Sequence, residues 1–141
     1  MSYSMPVVKE YSTIAEFIKS VDDAIADLRR ILGEHLRKIE ELRVRVEQEA
    51  KLKSVISRLG LTTAPSGAEL SLKTIKIVVN PTAEQELAML EQALESINNR
   101  LTQLTALRKD LDALAPLSDV NVKVTVIYVD GIPKNIILRI A

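Results

Sequence analysis

Apolar residues recur at alternating spacings of four and three from Ile14 to Ile56, and this heptad repeat dominates the first half of the chain. Ten of the thirteen positions in the repeat are apolar, a regularity that a strand or a loop would not produce. The repeat therefore predicts one long helix over residues 12–60. Three polar residues interrupt it: His35, Glu49 and Lys53.

The end of this helix has its own local signal. Gly60 stands where a left-handed residue is needed, and Leu61 can close a Schellman contact onto Ile56. A helix of roughly 45 residues would be about 70 Å long. Turn-forming residues at 62–69 then predict a connector.

The second half of the chain predicts a strand followed by another helix. Residues 70–79 are rich in β-branched side chains, as strands are. Residues 82–115 carry leucine and isoleucine at heptad spacing and predict a helix that Pro116 ends. Two starts for this helix remain open: Asn80 as the cap before Pro81, or Thr82 as the cap in a capping box with Gln85.

The last twenty residues predict a β-hairpin. Apolar residues occupy the even positions of 120–128, and they again predominate at even positions in 132–140. A three-residue loop with a left-handed Gly131 keeps these two apolar sets on one face, whereas a two-residue turn would mix them. The predicted register pairs Val124 with Ile136 and Val122 with Leu138.

Together these elements predict a single α+β domain over residues 1–141, in the order α-β-α-β-β. Two long heptad-patterned helices would join a small three-stranded sheet in a coiled-coil-like oligomer, with residues 70–141 as the head. The strands 70–79 and 120–129 would flank the second helix in a right-handed β-α-β unit if they are parallel.

Helix and strand lengths predict where a partner binds. A ten-residue strand spans about 33 Å, less than half the length of the first helix. We therefore expect the N-terminal half of that helix to lack a sheet of its own chain and to dimerise or bind another protein. The predicted interface residues are Ile14, Ile18, Val21, Ile25, Leu28, Leu32 and His35.

The single histidine, His35, occupies a heptad core position. A pH switch and a metal ligand are two functional interpretations of such a residue. A polar residue at a helix interface more often fixes the register, and the only possible metal ligands near His35 in sequence are carboxylates such as Glu34. We therefore predict a packing role for His35 and no metal site.

Charge and composition disfavour most other functions. Lys plus Arg and Asp plus Glu both number 19, whereas nucleic-acid binders usually carry a basic excess. The four glycines are scattered, cysteine is absent, and Ser66 in the connector has no base nearby in sequence, so we predict neither catalytic residues nor a cofactor. No apolar run reaches the roughly 18 residues of a membrane span, and the cytoplasm is the default compartment.

These observations favour a non-enzymatic protein that holds other proteins together, as a scaffold or an accessory subunit. The alternative is a nucleic-acid-associated protein whose basic surface forms only in a dimer. Acids and bases alternate along the first helix, however, which favours a solvated face of ion pairs over a phosphate-binding surface.

Overall fold

The fold is α+β, and the computed structural model describes it for residues 5–61 and 67–140. Both predicted helices are present, and the described strands form two antiparallel sheets. The elements in chain order are β1 (Val8–Tyr11), α1 (Ile14–Arg58), β2 (Ala68–Ser71), β3 (Lys76–Val79), α2 (Ala83–Asp110), a 3-10 helix (Leu111–Leu117), β4 (Val122–Val129) and β5 (Ile132–Ile140).

The sheet arrangement corrects the predicted β-α-β unit. The three-stranded sheet has the order β1-β4-β5 and is antiparallel throughout. Its first strand, β1, has no counterpart in the sequence prediction. Residues 70–79 form no single strand: they supply most of a separate hairpin, β2–β3. Residues 62–66 of the predicted connector lie outside the described residues.

The β4–β5 register also differs from the prediction. Val124 lies opposite Leu138 and Val126 opposite Ile136, so the predicted pairing is wrong by two residues. A two-residue turn joins the strands, with positive φ at both Asp130 and Gly131. A register shift between Ile127 and Tyr128 then returns even positions to even positions. The left-handed Gly131 and the single apolar face are confirmed, and the three-residue loop is wrong.

The ends of α1 are capped by local hydrogen bonds. At the start, the Glu16 backbone N–H donates to Thr13 Oγ1 at 3.1 Å. At the other end the Schellman contact is confirmed, with Gly60 at a φ of 74° and the Leu61 N–H donating to the Ile56 carbonyl at 3.1 Å.

The start of α2 is a capping box, which decides between the two predicted starts. The Gln85 N–H donates to Thr82 Oγ1 at 3.1 Å, and the Thr82 N–H donates to Gln85 Oε1 at 3.0 Å. Glu49 of α1 accepts the Ala83 N–H at 3.1 Å. The interruption of the heptad repeat at Glu49 therefore has a local reason: its carboxylate satisfies an N–H at the positive end of α2.

The described chain divides into two compact units, to which both helices contribute. We call residues up to Arg30 together with those from Ile97 the sheet unit, and Ile31–Ser96 the hairpin unit. In the sheet unit, helix side chains cover the even-numbered face of β4. Its buried core contains Ile14, Phe17, Val21, Ile25, Leu104, Leu111, Val122, Val124, Val126 and Ile132.

Candidate functional site

The predicted interface residues do not form one open surface. Ile14 and Val21 are only 1% and 2% exposed, and Ile25 is buried with them in the core of the sheet unit. Ile18 and Leu28 are partly buried against that core. The sheet that α1 was expected to lack is therefore present, which removes the reason for placing the interface at its N-terminal half.

The last two predicted interface residues belong to the hairpin unit. Leu32 is half-buried, and His35 is exposed. The heptad position of His35 predicts burial between helices, but no helix in the described part of its own chain buries it. Whether these residues contact a second chain stays a prediction.

Exposed apolar residues concentrate in the hairpin unit instead. Among the described residues it exposes eleven large apolar side chains and buries four apolar residues, whereas the sheet unit exposes six and buries ten. A self-sufficient domain of this composition would bury the larger share. Among the described residues, the hairpin unit therefore holds the larger share of the exposed apolar side chains.

The clearest such surface is one face of the β2–β3 hairpin. Directly paired residues of an antiparallel ladder share a face, and here each pair on one face is apolar. Five of these six side chains are large and are between 43% and 63% exposed. We call this set the apolar hairpin face: Ala68 with Val79, Leu70 with Ile77, and Leu72 with Ile75.

The opposite face of the same hairpin is mainly polar. It carries Ser71, Val78 and the ion pair of Glu69 with Lys76, whose charged atoms are 3.7 Å apart. Val78 is the one half-buried residue of the two strands. The hairpin thus directs its charges to one face and its large apolar side chains to the other. Such a division is usual when the apolar face of a hairpin has a partner.

Gln85 tethers this hairpin to the start of α2. Its Nε2 donates to the Gly67 carbonyl at 2.9 Å and to Glu69 Oε1 at 3.2 Å, while its Oε1 remains in the capping box. Gly67 is left-handed, and a Cβ built on it would clash with the side-chain amide of Gln85. Glycine is therefore required at this position for the tether to form.

The last turns of α1 carry a further exposed apolar stripe. Leu52, Val55 and Leu59 are spaced by three and four residues and share one face of the helix. Leu61, held by its bond to Ile56, is exposed as well. The hairpin unit therefore offers apolar surface from a helix as well as from a sheet.

Cations of α1 in the hairpin unit are paired with acids of α2. Arg43 lies 3.4 Å from a Glu91 carboxylate oxygen, and Arg45 lies 3.9 Å from Glu86. These exposed pairs join the two helices, whereas the predicted ion pairs lay within α1, and each contributes little to stability. They also neutralise cations that a phosphate-binding surface would have to present.

A phenol pair lies beside a small cavity in the sheet unit. The Tyr11 and Tyr128 hydroxyls share a hydrogen bond, and both residues line a cavity of about 210 Å³. Burial, then the bond to Tyr11, raises the pKa of Tyr128 above its ordinary value. Among the described residues no three His, Cys, Asp or Glu side chains are grouped as a metal site requires.

The outer face of the three-stranded sheet mixes apolar and basic side chains. Val8 lies opposite Ile127, and Lys123 lies opposite Arg139. Ile127 and Ile137 are half-buried and thus are not isolated in solvent.

No helix in the described part of the chain contains an apolar stretch long enough to cross a membrane. Comparison of the chain with protein-family models, with curated proteins and with solved structures found no match.

Proposed function

We propose that this protein is an assembly module, a scaffold or accessory subunit that binds another polypeptide through its hairpin unit and has no catalytic role. The observation that carries the proposal is the apolar hairpin face, in which all six positions are apolar and all the large side chains are exposed. The proposed setting is the cytoplasm, and the proposed form is an oligomer, with a dimer favoured.

The energetics support binding and limit its strength. Full burial of a Val, Leu or Ile side chain stabilises by about 1.5–3 kcal/mol, so burying the remaining half of five such side chains would contribute roughly 5 kcal/mol. Association itself costs at least about 4 kcal/mol. The face alone therefore supports a weak complex, and a tighter one would need further surface such as the stripe of Leu52, Val55 and Leu59.

The heptad helices would supply the frame for this contact. Within the hairpin unit α1 and α2 run antiparallel, as shown by the contact of Arg43 with Glu91 and that of Glu49 with Ala83. Exposed Leu36 and Val44 on α1 extend the apolar surface beyond the hairpin. We include them as flanking residues of the proposed coiled-coil contact, because a spacing of eight residues turns the second side chain by about 80° around the helix.

The proposal is tested by site-specific cross-linking in the cells that make the protein. A photo-reactive amino acid at position 70 should yield adducts with a polypeptide, identified by mass spectrometry, because Leu70 lies on the apolar hairpin face. The same amino acid at position 71 is the matched control, since Ser71 is the adjacent exposed residue on the opposite face. Equal adduct yields at the two positions, or none at either, would refute the proposal.

A further inference from the structure

We infer that the occupant of the apolar hairpin face is a second copy of this chain, packed face to face. Each strand would lie over the same strand of the second copy and run antiparallel to it. This inference rests on the proposed assembly function and names its partner. It comes from the size order of the six side chains along the hairpin and from the absence of charge on the face, and the small area of the face limits its strength.

The side chains are graded in size from the base of the hairpin to its tip. Ala68 and Val79 form the pair at the base, and the larger Leu72 and Ile75 form the pair at the tip. In the proposed dimer a two-fold axis lies between the two hairpins and crosses both strands at the middle pair, Leu70 with Ile77. This axis places the tip of each hairpin over the base of the other. Leu72 then faces the partner's Ala68, and Ile75 faces the partner's Val79. Large side chains thus meet small ones, the arrangement that fills space between two packed layers.

Electrostatics permit this pairing of identical faces. None of the six side chains carries a charge, and the chain as a whole is formally neutral. Two copies therefore bring no like charges together on this face, whereas a charged partner would gain nothing from it. The ion pair of Glu69 and Lys76 lies on the opposite face of the hairpin, away from the contact.

The area of the face sets the expected strength. Two strands about 4.8 Å apart and five residues long have a backbone footprint of only about 10 Å by 17 Å. A standard stable interface buries roughly 800 Å² on each partner. Burial of both copies of the face would contribute roughly 10 kcal/mol, and association costs at least about 4 kcal/mol. We therefore expect a weak dimer with a dissociation constant of about 40 µM or above, and the measurement must cover about 10 to 1000 µM.

Because the chain has no cysteine, a single introduced cysteine is its only thiol. Facing sheets lie about 10 Å apart, which is too far for a disulfide, so a short bis-maleimide is the appropriate cross-linker. Ile77→Cys should cross-link to its own copy, because the middle pair lies at the axis. Ala68→Cys mixed with Leu72→Cys should give the mixed product. Ser71→Cys, on the opposite face, should give neither.

The mass of the purified chain provides an independent measurement. The molar mass measured by light scattering should rise with protein concentration from the chain mass of 15.7 kDa towards twice that value. Leu70→Lys should weaken the dimer by at least about 10-fold because it buries an unpaired charge, and Ser71→Lys, which adds the same charge on the other face, should not. Circular dichroism checks that both variants keep their helices.

Several outcomes would overturn the inference. A wild-type monomer at every concentration would do so, as would equal cross-linking at positions 71 and 77. A monomer whose position 70 cross-links to a different polypeptide in cells would overturn the second copy and leave the proposed function standing. A monomer that instead sediments with neutral phospholipid vesicles, and loses this with Leu70→Lys, would assign the face to lipid and refute both.

Discussion

Gln85 donates hydrogen bonds to the β2–β3 hairpin, and these can be tested by a single substitution. Its amide uses both ends: Oε1 closes the capping box of α2, and Nε2 donates to Gly67 and Glu69 of the hairpin. Gln85→Glu separates these two roles. A glutamate can still accept the Thr82 N–H, as capping boxes commonly show, but it cannot donate to the Gly67 carbonyl and it would face the Glu69 carboxylate.

The expected magnitude follows from the two bonds lost. A hydrogen bond of this kind contributes about 0.5–1.5 kcal/mol net, and the 3.2 Å contact to the exposed Glu69 belongs at the low end. Together they should contribute about 1–2 kcal/mol to the free energy of opening the hairpin. Since 1.4 kcal/mol is tenfold, amides of β2 and β3 should exchange about 5 to 30 times faster in the variant.

Hydrogen exchange followed by mass spectrometry tests this directly. Peptides covering β2 and β3 should exchange faster in Gln85→Glu, while those covering β4 and β5 should not change. Thr82→Ala is the matched control: it removes the Oγ1 acceptor of the Gln85 N–H and should speed exchange at the start of α2 with less effect on the hairpin. Wild-type exchange rates for the hairpin in Gln85→Glu would refute the tether.

Two further predictions concern the sheet unit. Gly131→Val should lower the free energy of unfolding by about 1–2 kcal/mol and Gly131→Asn by less, because φ is 78° and only asparagine tolerates that region. A Cβ at this position would meet nothing closer than Arg100 Nη1 at 3.9 Å, so the expected loss comes from the backbone conformation and not from a clash. Equal losses of unfolding free energy for the two variants, measured by urea unfolding, would contradict this explanation. The raised pKa of Tyr128 means that the folded state keeps a proton that the unfolded state releases above pH about 10, so stability should fall as pH rises above that value. Tyr128→Phe should show a smaller fall between pH 8 and pH 10.5, and an equal fall would assign the effect to lysines.

The helices of this protein are predictable because their signals are local. Heptad spacing, the Gly60 terminator and the pairing of Thr82 with Gln85 all involve residues within a few positions of one another. The last two correspond to hydrogen bonds that the structure contains. The sheets depend on pairing between residues far apart in sequence. The four residues of β1 show too little alternation to reveal a strand, and they pair with β4 more than a hundred positions away.

The sequence of residues 70–79 contains a signal for the β2–β3 hairpin that is missed when these residues are interpreted as one strand. Leu70 and Leu72 are at even positions, whereas Ile75, Ile77 and Val79 are at odd positions. A single strand would place these two sets on opposite faces. A turn at Lys73 and Thr74 brings both sets to the same face, as the observed register does. The change of parity is thus evidence for a hairpin.

The β4–β5 turn shows a conflict between two sequence rules. Asp130-Gly131 is a strong signal for a two-residue turn, yet that turn alone would pair even positions with odd ones. The structure keeps the turn and restores the parity with a bulge. Tyr128 pairs with Pro133 and Ile127 with Asn135, which leaves Lys134 as the extra residue. Proline is tolerated at such a position because it need not donate to the ladder.

The same pairing shows why the length comparison does not locate the apolar residues that α1 leaves without a partner in its own chain. A helix that is longer than the sheet on which it packs does leave apolar residues without a partner, so the comparison of helix length with strand length is physically sound. The location of those residues depends on which strands pair. Because β1 joins β4 and β5, Ile14 and Val21 are covered by their own chain. Because residues 68–79 fold back into two strands of four residues, about 13 Å each, little sheet remains for the hairpin unit. In the hairpin unit, exposed apolar residues accordingly include Leu52, Val55 and Leu59 together with the hairpin itself, and the proposed cross-linking tests that surface first.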